Sequence, residues 1–117
     1  MKILIIDDEP LVRRALCRVV KRRGHELFEA EDGRQGLEAW RKENPDLIFL
    51  DVLMPGLSGP QVMKEIGTSH RGKVVLISAY SGEYNLGTAK SIGADMFVPK
   101  PFEDIFAIVE TAEKLCL

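Results

Sequence analysis

The sequence predicts an α/β fold, a five-stranded parallel sheet in the order 2-1-3-4-5 with helices on both faces. Three observations predict it. Short unbroken apolar runs recur, Ile3-Leu4-Ile5-Ile6, Leu47-Ile48-Phe49-Leu50 and Val74-Val75-Leu76-Ile77, as strands buried on both faces require. Helix-period stripes fill the intervals, so the elements alternate βαβαβαβαβα without a repeat or linker. Right-handed crossovers then leave few topologies, and five strands favour the doubly wound order, with its ligand crevice at the carboxyl ends of strands 1 and 3.

Each element has its own signal. Ile3 to Ile6 form the first strand. Leu11, Val12, Ala15, Leu16 and Val19 then make one helical stripe, opened by Pro10 and closed by Gly24. His25 to Ala30 has the mixed pattern of an edge strand, and Asp32-Gly33 starts a second helix marked by Leu37 and Trp40. After the third strand, Pro60 opens a helix carrying Val62, Met63 and Ile66. A fourth helix, roughly Glu83 to Ser91, is weak, because Gly82 and Gly87 each cost about 1 kcal/mol relative to Ala. Met96-Phe97-Val98 supplies the fifth strand, and Phe102, Ile105, Phe106, Val109 and Ala112 give the last helix its apolar face.

Composition sets limits. A length of 117 residues suits a single domain over residues 1–117, with 45% hydrophobic and 29% charged residues. The net charge of −2 argues against nucleic acid as a direct partner. No apolar run exceeds Ile105 to Val109, so neither a membrane span nor a secretory core is predicted. Cys17 and Cys116 lack metal-ligand spacing, and a cytoplasmic location is the expectation.

The polar residues that follow strands carry the chemistry. Asp7-Asp8-Glu9 follows the first strand, Asp51 the third, Ser78 the fourth, and Lys100 stands two residues beyond Val98. Helix capping explains acids in such places, and Asp8 is a candidate cap. It does not explain Asp51, which precedes the loop Val52-Leu53-Met54-Pro55-Gly56. Two carboxylates about 5 Å apart repel by roughly 3 kcal/mol at an effective dielectric near 20. Three converging ones need a cation or raised pKa values. An all-oxygen acidic site suits Mg²⁺, or Mn²⁺ in its place. A metal and an ammonium beside one carboxylate are what phosphoryl transfer to that carboxylate needs.

Asp7-Asp8, Asp51 with Met54-Pro55-Gly56, Ser78-Ala79 and Lys100-Pro101-Phe102, in this order and spacing, resemble the receiver domain of two-component response regulators. The resemblance covers Lys2 to about Leu115. It implies that Asp51 accepts a phosphoryl group from a sensor histidine kinase or a phosphotransfer protein, its carboxylate already being a nucleophile. It also implies Mg²⁺ held by Asp7, Asp8, Asp51 and the backbone carbonyl of Leu53, with Lys100 and Ser78 on the phosphoryl oxygens. Phe97 stands at the family's aromatic switch position, and a cis Lys100-Pro101 bond is implied. The helix 4, strand 5, helix 5 face would then signal to a downstream protein or a fused output domain, as a monomer or a phosphorylation-dependent dimer. Met96 and the acids Glu110 and Glu113 depart from the paired charges of symmetric family dimers. Such a domain catalyses only its own phosphoryl transfer and dephosphorylation, and is not an enzyme for other substrates. Leu53 and Tyr80 occupy positions that tune dephosphorylation, and their bulk predicts a long-lived phosphorylated form.

Other readings fit less well. A flavodoxin shares the flavodoxin-like fold, but Asp7-Asp8-Glu9 would repel its cofactor phosphate. A dinucleotide oxidoreductase lacks its GxGxxG, and a haloacid-dehalogenase-type phosphatase needs an aspartate where Leu53 stands. Arg13 and Arg14 on the first helix are evenly balanced between docking an acidic partner and forming a solvated face, whereas Lys21 to Arg23 suit the helix C-terminus. His25 and His70 read as surface residues away from acids, Trp40 as core, and both cysteines as accessible.

Overall fold

The computed structural model describes residues 1–79 and 85–117. The continuous apolar runs become the inner strands β1 (Lys2–Ile6), β3 (Leu47–Asp51) and β4 (Lys73–Ser78), with every residue from Ile3 to Ile6 and from Val74 to Ile77 wholly buried. The mixed run becomes β2 (Glu26–Ala30) at one edge, and β5 (Met96–Pro99) lies at the other. The strand order is β2-β1-β3-β4-β5 and every pairing is parallel, as the alternation predicts.

Helices cover both faces. One apolar cluster joins Leu4, Ile48, Leu50 and Leu76 to Trp40 of α2 (Gly33–Glu43), Val62 of α3 (Gly59–Ile66) and Ala89 of α4 (Leu86–Ser91). The other joins Ile3, Phe49, Val75 and Ile77 to Leu16 of α1 (Pro10–Arg22) and Val109 of α5 (Ile105–Lys114). Alternate strand residues thus feed alternate cores, which is why the central strands carry no polar residue between their ends.

Several local readings need correction. Asp51 and Ser78 are the last residues of their strands rather than the first residues after them, because each still pairs in the ladder, with Ile77 and Pro99 respectively. In α1 the buried face is rotated away from the expected stripe. Leu11 is 80% exposed and Ala15 is exposed, while Cys17 and Val20 are buried in their place. Cys17 is therefore not accessible, and burial, reinforced by Glu29, pushes its thiol up to about 12. Asp8 does not cap α1. Glu9 holds the N-cap position and makes no side-chain bond there. In α5, which Asp104 caps by accepting from Ala107, Phe106 is half exposed and Phe102 precedes the helix. The fourth helix begins at Leu86 behind an Asn85 capping box, and Tyr80, Gly82 and Glu83 fall outside the described residues.

The histidines also differ from the expectation. His25 Nε2 contacts Glu113, whose carboxylate accepts Arg23 Nε at 2.8 Å, so the end of α1 and the start of β2 are clasped to α5. His70 packs edge-on against Trp40, their ring centroids 5.1 Å apart, and Trp40 is core as predicted. Among the described residues no helix is long and apolar enough to cross a membrane.

Candidate functional site

The carboxyl ends of four strands, β1, β3, β4 and β5, bring the predicted residues to one rim of the sheet. Asp7 follows β1 at once, its N–H still bonded to the Ala30 carbonyl at 3.1 Å, and its side chain is wholly buried. Asp51 closes β3 with 2% exposure, and Ser78 closes β4 fully buried. Lys100 follows β5, and its N–H donates to the Ser78 carbonyl at 2.8 Å, which ties two of the predicted site residues through the backbone. The Lys100-Pro101 peptide bond is cis, as the resemblance implies.

The side chains meet as predicted. Carboxylate oxygens of Asp7, Asp8, Glu9 and Asp51 all lie within 4.8 Å of one another. Lys100 Nζ stands 3.0 Å from Asp7 Oδ2 and 3.5 Å from Asp51 Oδ1. It is nearest to Glu9, at 2.7 Å from Oε1. Leu53, two residues past Asp51, is 58% exposed. Phe97 is half-buried and packs with the α2–α3–α4 core, on the sheet face opposite to Met96 and Val98.

The electrostatics follow from crowding. Burial, then the Asp7 charge, drives the Asp51 carboxyl up to about 8, with Lys100 pulling the other way. Burial also raises Asp7, against the Glu9 N–H bond and Lys100. Burial opposes the Lys100 charge, but bonds to Glu9 and Asp7 outweigh it and hold the ammonium above its ordinary value. Among the described residues one ammonium thus pairs with three of the four clustered acids. Asp51 Oδ2 is buried with no hydrogen-bond partner among the described residues. An unsatisfied buried oxygen inside an all-carboxylate set is what a hard divalent cation would complete, so the residues present fit a metal such as Mg²⁺.

Three residues gain roles that sequence reasoning did not assign. Glu9 appears in the acidic run, but its partnership with Lys100 crosses the whole chain and leaves no local signal. Arg13 is not a solvated residue, its side chain being 14% exposed. Its Nη1 donates to the Asp7 carbonyl at 2.8 Å and its Nε lies 3.4 Å from Glu29, which pins the acidic loop to β2. Gly59 approaches the site from behind, where a Cβ would lie 2.5 Å from the Asp51 carbonyl oxygen. Its position just before Pro60 at a helix start was the available clue.

Comparison with known proteins agrees with this geometry. The family model described as "Response regulator receiver domain" matches residues 3–112. Sporulation initiation phosphotransferase F of Bacillus subtilis is 34% identical, over 97% of this chain and 91% of that protein. The transcriptional regulatory protein AfsQ1 of Streptomyces coelicolor is 34% identical over 86% of this chain, which spans only 45% of that longer protein. A LuxR-family DNA-binding response regulator from Staphylococcus aureus superposes with a TM-score of 0.88 at 25% identity, covering 99% of this chain and 98% of that one.

Proposed function

The chain belongs to the response regulator receiver domain family, and on that premise we propose that Asp51 accepts a phosphoryl group from a phosphohistidine on a sensor histidine kinase or phosphotransfer protein. The observation that carries the reading is the placement of Asp51, buried and crowded by Asp7, with a free carboxylate oxygen and an ammonium 3.5 Å from the other. A carboxylate oxygen of Asp51 attacks phosphorus, the phosphorus–nitrogen bond breaks, and the imidazole departs with its electron pair. Asp7, Asp8, Asp51 and the Leu53 carbonyl would hold Mg²⁺, which when bound supplies positive charge against the phosphoryl oxygens.

Lys100 moves from the acids to the new phosphoryl oxygens, and the Ser78 hydroxyl donates to another. Because the Lys100 N–H holds the Ser78 carbonyl, the two strand ends move together. Phe97 follows them and changes the α4, β5, α5 face that a downstream protein or a fused output domain reads. The domain works in the cytoplasm and turns over no separate substrate; its chemistry ends with hydrolysis of its own acylphosphate.

Incubation with acetyl phosphate and Mg²⁺, followed by intact mass, tests the reading. One phosphoryl group per chain is expected, absent without Mg²⁺ and absent from Asp51→Asn. Labelling that persists in Asp51→Asn, or continuous release of phosphate from a phosphomonoester, overturns it.

A further inference from the structure

A groove lies at the pole opposite to the acidic site, where the strands begin. It encloses about 750 Å³ between the ends of α3 and α4 and the starts of β4 and β5. Lys64, Arg71, Lys73 and Lys90 line it, with Asp95 as its one carboxylate. Asp95 is already engaged, its Oδ2 accepting the Val74 N–H at 2.9 Å. Among the described residues Lys64, Lys73 and Lys90 form no ion pair, and Arg71 has only Asp46, at 3.3 Å. In a chain of net charge −2 this is a local concentration of positive charge.

The helix dipoles account for part of it. Lys64 and Lys90 sit in the last turns of α3 and α4, where cations offset the negative helix ends. Arg71 and Lys73 lie outside any helix, on the loop and first residue of β4, so the dipoles do not explain them. Those same helix ends disfavour a compact anion placed against them, so it is the side chains of Arg71 and Lys73, with the Lys64 and Lys90 ammoniums, that would attract carboxylates spaced along the groove. Ile92, partly buried against the core, adds apolar surface to the lining. His70, the one aromatic ring there, is turned onto Trp40 and offers no stacking platform for a nucleobase.

We propose that this groove docks an acidic segment of a partner protein, an extended stretch of glutamates and aspartates with an apolar residue for Ile92. The surface is separate from Asp51 chemistry and stands whether or not that chemistry is as described. The probe is a fluorescein-labelled peptide of glutamates flanking one leucine, followed by anisotropy at low salt and by amide shifts in nuclear magnetic resonance spectra. Shifts are expected at residues 63–73 and 90–95. Lys73→Glu with Lys90→Glu, both exposed positions, should weaken binding at least about tenfold, or about 1.4 kcal/mol. Arg14→Glu with Arg18→Glu on α1, and Asp51→Asn, should leave it unchanged. Binding lost in the α1 variant, equal binding by the groove variant, or tighter binding of a single-stranded oligonucleotide at the same residues would overturn the proposal.

Discussion

The Lys100 ammonium rests nearer to Glu9 than to Asp51, 2.7 Å from the one carboxylate and 3.5 Å from the other. The two contacts differ in worth. Glu9 is half exposed, so water competes for it and the pair contributes at most about 1 kcal/mol. Lys100 itself is 6% exposed and is the only cation within salt-bridge distance of Asp7 and Asp51 among the described residues. Removing it strands buried like charges, a loss of about 3–5 kcal/mol when a buried pair is broken. Urea unfolding of the metal-free protein should therefore show Lys100→Gln far less stable than Glu9→Gln. Equal losses would mean that the buried contacts count for little.

Asp51 should make the metal-free fold weaken as pH rises. Its folded-state pKa, about 8, lies above the unfolded carboxylate value, so the native state binds the extra proton. Below the unfolded pKa both states are protonated and there is no penalty. The penalty then grows with pH until the folded carboxyl ionises near 8. Asp51→Asn removes it, and should stabilise the metal-free protein at pH 8 by about 1–3 kcal/mol, since one pKa unit is about 1.4 kcal/mol. Mg²⁺ should raise the melting temperature of the parent more at pH 8 than at pH 5, and that of the variant less. A parent whose metal-free stability rises between pH 5 and pH 8 would contradict the crowding described here.

How much of this was legible in the sequence depends on distance along the chain. Strand runs, Gly and Pro punctuation and the strand-end positions of Asp7, Asp51, Ser78 and Lys100 are local signals, and they predicted the sheet order and the meeting of Asp7, Asp8 and Asp51 with Lys100. What failed were rotations and long-range pairings. Leu11 and Ala15 match the helical period as well as Cys17 and Val20 do; only the packing of α1 against the sheet and α5 decides which side is buried. Likewise nothing near His25 announces Glu113, which arrives from the far end of the chain.

Leu53, two residues past Asp51 and 58% exposed, is expected to slow the water that hydrolyses the acylphosphate, and shortening it costs the core little. Leu53→Asn is expected to accelerate loss of the phosphoryl group several-fold with unfolding midpoints unchanged. An unchanged rate of dephosphorylation, followed by intact mass after removal of acetyl phosphate, would remove Leu53 from any shielding role.

Gly59 should control the site without touching its chemistry. A Cβ there would stand 2.5 Å from the Asp51 carbonyl oxygen and 3.0 Å from Val52 Cα, both backbone atoms that cannot rotate aside. Its N–H also donates to the Val52 carbonyl at 2.9 Å, so α3 and the loop after β3 are already drawn tight. Gly59→Ala has to push the end of β3 toward the acidic cluster, at a cost of about 1–3 kcal/mol for overpacking. Gly72→Ala is the matched control, because its Cβ would meet Ile48 Cδ1 at 2.5 Å and the Pro45 carbonyl at 2.6 Å, away from Asp51. Both variants should lose comparable stability, but only Gly59→Ala should slow labelling by acetyl phosphate, at a temperature where both remain folded. If the two slow equally, lowered stability rather than displacement of Asp51 is the cause.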